Sequence, residues 1–170
     1  MSLSKEEREA NLKLALGLLL DALGDLYTSE MYFSESEEEF EDIYATTWTD
    51  LKRRRWIRDV SVMEEERYRL TEYGWREGII LLEKHKDIAF REKLGKLCAA
   101  MKGFVKGRRD NVIADVEDIS SKSGLPSGFV QNVIDSHILE ICLNVQGAEW
   151  VNNRRMYDIL IPLDFGLERL

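Results

Sequence analysis

The stretch Asp118–Ile134, DISSKSGLPSGFVQNVI, restricts what this chain can fold into more than any other. Val116 and Ile119 fall three apart, on one face of a short helix. Gly124 can stop that helix because glycine takes φ > 0 at little cost, and Pro126 suits the first turn of the next. Phe129, Val130, Val133 and Ile134 then recur at i, i+1, i+4 and i+5, leaving Ser127, Gln131, Asn132 and Asp135 on the other side. The spacing predicts a second helix over residues 127–139, set across a glycine turn from the first.

Length decides how large a fold can hold this pair of helices. With 170 residues, 44% of them hydrophobic, the chain can bury one ordinary core or two small ones of about 80 residues each. A charged fraction of 33% and only two prolines suit a helical, well-solvated protein. The two cysteines, Cys98 and Cys142, lie in apolar runs far apart, which gives neither a disulfide framework nor a zinc cluster. The apolar block Leu14–Leu20 is far below the ~20 residues of a membrane span, and the acidic and basic start Lys5–Glu9 is unlike a signal peptide. The expectation is a cytoplasmic protein without a membrane partner.

Patterning along the chain predicts helices joined to short hairpins. Ser4 with Glu7 makes a capping box, and Leu12, Leu16, Leu19, Leu23 and Leu26 step along one helix. Leu14, Leu18 and Leu20 widen that stripe, so a homodimer through this N-terminal helix is an expectation beside the plainer one of a fully used core helix. Ser34 with Glu37, or Ser36 with Glu39, opens a helix through Phe40, Ile43 and Tyr44; its glutamates favour the helix dipole and lack the spacing of a metal loop. Thr47 and Asp50 are read as starting a third helix that ends in Lys52–Arg55. Trp56–Val62 and Arg67–Leu70 follow as a hairpin, and Thr71 caps an outgoing helix. Asp87–Lys106 is a further amphipathic helix, and after the opening stretch residues 140–146 and 156–162 form a second hairpin joined by 147–155.

The pattern Ile119, Gly124, Leu125, Val130, Val133–Ile134 is a helix-turn-helix and resembles the DNA-reading unit of winged-helix regulators. Tyr68–Glu83, YRLTEYGWREGIILLE, is similar to the last wing strand and outgoing helix of the same superfamily. The order of helices followed by a hairpin occurs twice. The fold expected is therefore mainly α with short β hairpins, an α+β class, in two winged-helix-like units in tandem, residues 1–85 and 86–170.

The resemblance implies a transcriptional regulator that binds double-stranded DNA, or a protein-interaction module on the same architecture. In the first case the helix from Ser127 lies in the major groove. Gln131 and Asn132 then offer amides to adenine, and Asn152, Asn153, Arg154 and Arg155 reach phosphate or the minor groove. Lys52, Arg53, Arg54 and Arg55 do the same from the first unit. Each has a plainer reading beside it: surface amides, a charged hairpin tip, and a helix end whose cations meet the negative end of the dipole. Trp56, Trp75 and Trp150 read as core or interface residues. The formal charge of −8 is segregated, with residues 1–50 at −10, 51–110 at +7 and 111–170 at −5, so a basic middle block coexists with acidic ends. No phosphate loop, nucleophile elbow or metal-binding histidine pair occurs; the chain is read as no enzyme and as needing no cofactor or metal.

Overall fold

The computed structural model describes residues 2–27, 30–107, 112–137, 145–152 and 154–159, with the backbone alone at 145–147. The chain divides into two compact units, Met1–Leu82 and Glu83–Leu170. It is a mixed α+β protein in which each unit carries helices and one small antiparallel sheet.

The first unit begins with α1, Lys5–Leu23. Its start is fixed locally: Glu7 N–H donates to Ser4 Oγ at 3.1 Å, and Ser4 N–H donates to the Glu7 carboxylate at 2.7 Å. Leu12, Ala15, Leu16, Leu19, Leu20 and Leu23 are buried along it, whereas Leu14 is 55% exposed and Leu26, beyond its end, is also exposed. A two-residue strand β1, Tyr32–Phe33, precedes a 3-10 turn at Glu38–Phe40, and α2 spans Ala45–Arg53. Strands β2, Ile57–Asp59, and β3, Tyr68–Leu70, close a sheet in the order β1-β3-β2, with Phe33 opposite Tyr68 and Ile57 opposite Leu70. Phe33, Phe40, Trp48 and Tyr68 form an aromatic cluster with ring centroids 5.4 to 6.2 Å apart.

Helix α3, Glu72–Leu81, ends this unit, its first turn capped by Thr71, whose hydroxyl accepts from Gly74 N–H at 2.9 Å. Gly74 is required by close approach. A Cβ there would lie 2.1 Å from the carbonyl oxygen of Trp56, so α3 starts directly against the residue that precedes β2. Trp75 Nε1 donates to the carbonyl of Gly24 at 3.0 Å, tying α3 to the end of α1 inside the core.

In the second unit a helix again comes first. Helix α4, Ile88–Val105, buries Phe90, Leu94, Leu97, Cys98, Ala100, Met101 and Val105. Strand β4, Val112–Asp115, leads straight into α5, Val116–Ser123, which Asp115 caps by accepting from Asp118 N–H at 2.7 Å. Gly124 has φ +70, the left-handed conformation that stops α5. Pro126 precedes α6, Ser127–Asp135, as its N-cap. Strands β5, Val145–Val151, and β6, Arg154–Ile159, complete a sheet ordered β4-β6-β5. In both units the middle strand of the sheet is the last one in the sequence.

Several expectations need correcting. The short strands β1 and β4 were not foreseen; each lies between the first helix of its unit and the next helical element. Thr47 and Asp50 do not start α2; both are buried within it, and Tyr44 is its N-cap. The helix expected through Phe40, Ile43 and Tyr44 is only the 3-10 turn. The second hairpin is tighter than expected: Val151 pairs with Arg154, so only two residues connect its strands, and much of the stretch assigned to the loop is ladder. Residues 140–144 and 160–162 of the expected strands lie outside the described residues. Helix α6 stops at Asp135, short of the expected 139, and residues 138–139 also lie outside the description.

Candidate nucleic-acid or partner interface

The candidate residues fall on α6, on the β5–β6 hairpin and on the end of α2. On α6, Gly128 to Asp135 are all buried, and Gln131 and Asn132 are each 1% exposed. A base edge can be read only by a side chain that projects from the protein surface into a groove. The solvent-facing polar side expected of this helix is instead inside, so Gln131 and Asn132 do not present their amides to a groove. Ser127, at the first position, donates its hydroxyl to the Glu117 carboxylate at 2.9 Å, joining α6 to α5.

On the hairpin, Asn152 has φ +50 in the two-residue connection, a conformation asparagine tolerates better than most side chains. Asn153 lies outside the described residues. Arg154 Nη1 donates to Asp115 at 2.9 Å, on the same carboxylate that caps α5. Arg155 donates through Nε and Nη2 to the two oxygens of Asp135, both at 3.2 Å, and its guanidinium lies over the rings of Trp150 and Tyr157. The last residue of α6 is thereby fastened to β6. Burial lowers the affinity of Arg155 for its proton, but the hydrogen bond and charge of Asp135 outweigh this and raise its pKa. Burial and the same carboxylate push the Tyr157 phenol well above its ordinary value, so it stays neutral.

At the end of α2, Lys52 Nζ pairs with Glu35 at 2.6 Å and sits 4.4 Å from the centre of the Tyr68 ring. Arg53 pairs with Asp50 at 2.8 Å, and Arg54 pairs with Glu9 at 2.9 Å while covering Trp56. Asp50 also receives Arg8 Nε at 3.1 Å and Nη2 at 2.6 Å, and this hydrogen bonding holds its carboxyl below the usual range. Arg55 is exposed, with φ +60, and Arg58 is exposed on β2. The basic run thus divides into three paired cations and one exposed arginine.

Sequence reasoning missed the carboxylates. Asp50 is matched to Arg8 across 42 positions, Glu9 to Arg54 across 45, and Asp115 to Arg154 across 39. Of the described pairs that the candidate cations make, only Asp50–Arg53, at i and i+3 on one helix, carried a local signal. A phosphate approaching Arg53, Arg54, Arg154 or Arg155 would compete with an anion already within 3.2 Å.

Of the expected aromatic residues, Trp56 and Trp75 are buried, while Trp150 is 51% exposed. Among the described residues no three His, Cys, Asp or Glu side chains converge on a metal position, and no helix is long and apolar enough to cross a membrane. No protein-family model, curated protein or solved structure matches this chain.

Proposed function

We propose that the chain is a pair of winged-helix-like units acting as a protein-interaction module. The observation that carries this reading is the burial of α6 along its length, Gln131 and Asn132 included. In a duplex reader of this architecture that helix supplies the base contacts; here its polar side chains serve the interior, and the nearby arginines hold carboxylates. Apolar side chains on the outside support docking to protein: Leu14, Tyr44, Val62 and Met63 in the first unit, Ile113, Trp150 and Val151 in the second. A homodimer through α1 rests on Leu14; light scattering that returns one mass for the wild type and Leu14→Glu would remove it.

The test is fluorescence anisotropy of a labelled duplex at low salt, about 50 mM, and at about 200 mM. The expected result is no saturable binding at either. A second reading, a DNA-binding regulator that grips phosphate without reading bases, is favoured by the exposed Arg55 and Arg58. That reading requires binding which weakens steeply with salt and whose salt slope falls by about one for each of these arginines changed to alanine. Such a result would replace the interaction reading.

A further inference from the structure

We infer that the outer face of the β4-β6-β5 sheet receives an extended basic segment of a partner protein, one lysine or arginine of which pairs with Asp158. This names a partner class within the interaction reading and rests on it.

The register sets the face. Ile113 lies opposite Asp158, which lies opposite Gly147; Met156 lies between Asp115 and Glu149; and Arg154 lies opposite Val151. Alternation along a strand puts these positions on one side, while Ala114, Tyr157 and Ile159 on the other side are buried. A groove of about 280 Å³ runs over this part of the sheet, lined by Ile113, Ala148, Glu149, Met156, Tyr157 and Asp158. Ile113 in its lining is 65% exposed, and Val151, two residues beyond Glu149 on the same face, is 43% exposed.

Within it Asp158 is anomalous. Its Oδ1 is shielded from solvent and has no hydrogen-bond partner among the described residues. A carboxylate oxygen taken from water without a donor is unfavourable, and because the terminal torsion of an aspartate is soft, a turn of the carboxyl brings that oxygen to a donor arriving in the groove. Among the described residues, the cation on the same face, Arg154, is already held by Asp115. Exposed Glu149, which also lines the groove, adds a second negative charge. The missing group is therefore cationic.

The rows of side chains across this face follow one another every second residue, about 6.6 Å apart. An extended segment lying along the strands puts its own alternate side chains at the same interval, so a cation at Asp158 places a neighbouring apolar side chain near Met156. A second copy of this chain, with its net charge of −8, is the poorer occupant.

The test uses the full ¹⁵N-labelled chain titrated at low salt with the end-blocked peptide Val-Ser-Lys-Ser-Val, whose apolar side chains lie two residues from its cation, and separately with Val-Ser-Glu-Ser-Val. The lysine peptide is expected to shift amide resonances of residues 112–115, 148–151 and 154–159, and the glutamate peptide none of them. Asp158→Asn is expected to weaken the lysine peptide about ten-fold, while the melting temperature of the free variant stays level or rises by about 2 °C. The inference is overturned by shifts that bypass the sheet, by an unchanged affinity in Asp158→Asn, or by a fall of several degrees in its melting temperature, since that would make Asp158 a structural partner. Duplex binding together with an intact peptide response would sink the interaction reading and leave the basic-segment site standing. Absence of both would do the reverse.

Discussion

Asp50→Asn in the first unit measures how far the basic run of α2 is committed to the fold. The Asp50 side chain is 4% exposed and takes hydrogen bonds from Arg8 at 3.1 and 2.6 Å and from Arg53 at 2.8 Å. Removing one member of a fully buried pair costs about 3–5 kcal/mol. Here the arginines are 45% and 65% exposed and recover hydration when released, and asparagine keeps the shape and one acceptor. The loss is therefore closer to that of one charge-assisted bond, about 2 kcal/mol, or about 10 °C in melting temperature for a unit of this size. Because Arg8 lowers the Asp50 pKa in the folded state, the carboxylate's contribution is fully present above the unfolded value of about 3.9. It is lost as pH falls through the lower, folded value. Urea unfolding followed by tryptophan fluorescence, with Trp48, Trp56 and Trp75 buried in this unit as reporters, is expected to show the full gap at pH 7 and its progressive closure as pH falls below the unfolded value. A gap below about 0.5 kcal/mol at pH 7, or one that persists unchanged into acid, would refute the reasoning.

Gly74→Ala should destabilise the first unit by about 3 kcal/mol or more, because the new Cβ meets the Trp56 carbonyl oxygen rather than a side chain that can turn away; a melting curve matching wild type would contradict this. Arg155→Gln should cost more than Arg154→Gln. The first strips the charge partner from the buried Asp135, worth about 3 kcal/mol, whereas Arg154 is 66% exposed and leaves Asp115 its cap on α5. Equal losses in denaturant melts would show that the Asp135 pair does not fasten α6 to β6.

What could be read in the sequence were the features decided within a few residues. The Ser4–Glu7 box, the Thr71 cap and the left-handed Gly124 depend on neighbours three or four positions away, and spacing finds them. The strands β1 and β4 escaped because two to four residues are too few for alternation to show; they exist through pairing with β3 and β6, which follow well over 30 residues later. The polar side of α6 escaped for a different reason. A helical wheel separates polar from apolar side chains, and Gln131, Asn132 and Asp135 were placed outside on that ground. Tertiary packing covers that side too, and the acid at its end is matched by Arg155 from a strand 20 positions away. Cations were legible as a run, but Glu9 and Glu35 were not legible as their anions, since they reach Arg54 and Lys52 only once α1 and the turn before α2 are in place.

The central claim is that α6 faces inward on every side, and a solvent paramagnetic relaxation measurement tests it directly. A soluble gadolinium chelate broadens side-chain amide resonances in proportion to their access to solvent. The expected result is sharp NH₂ signals for Gln131 and Asn132 at chelate concentrations that erase the signal of the exposed Asn152. Broadening of Gln131 and Asn132 equal to that of Asn152 would contradict the account and return α6 to the surface, where a duplex could reach it.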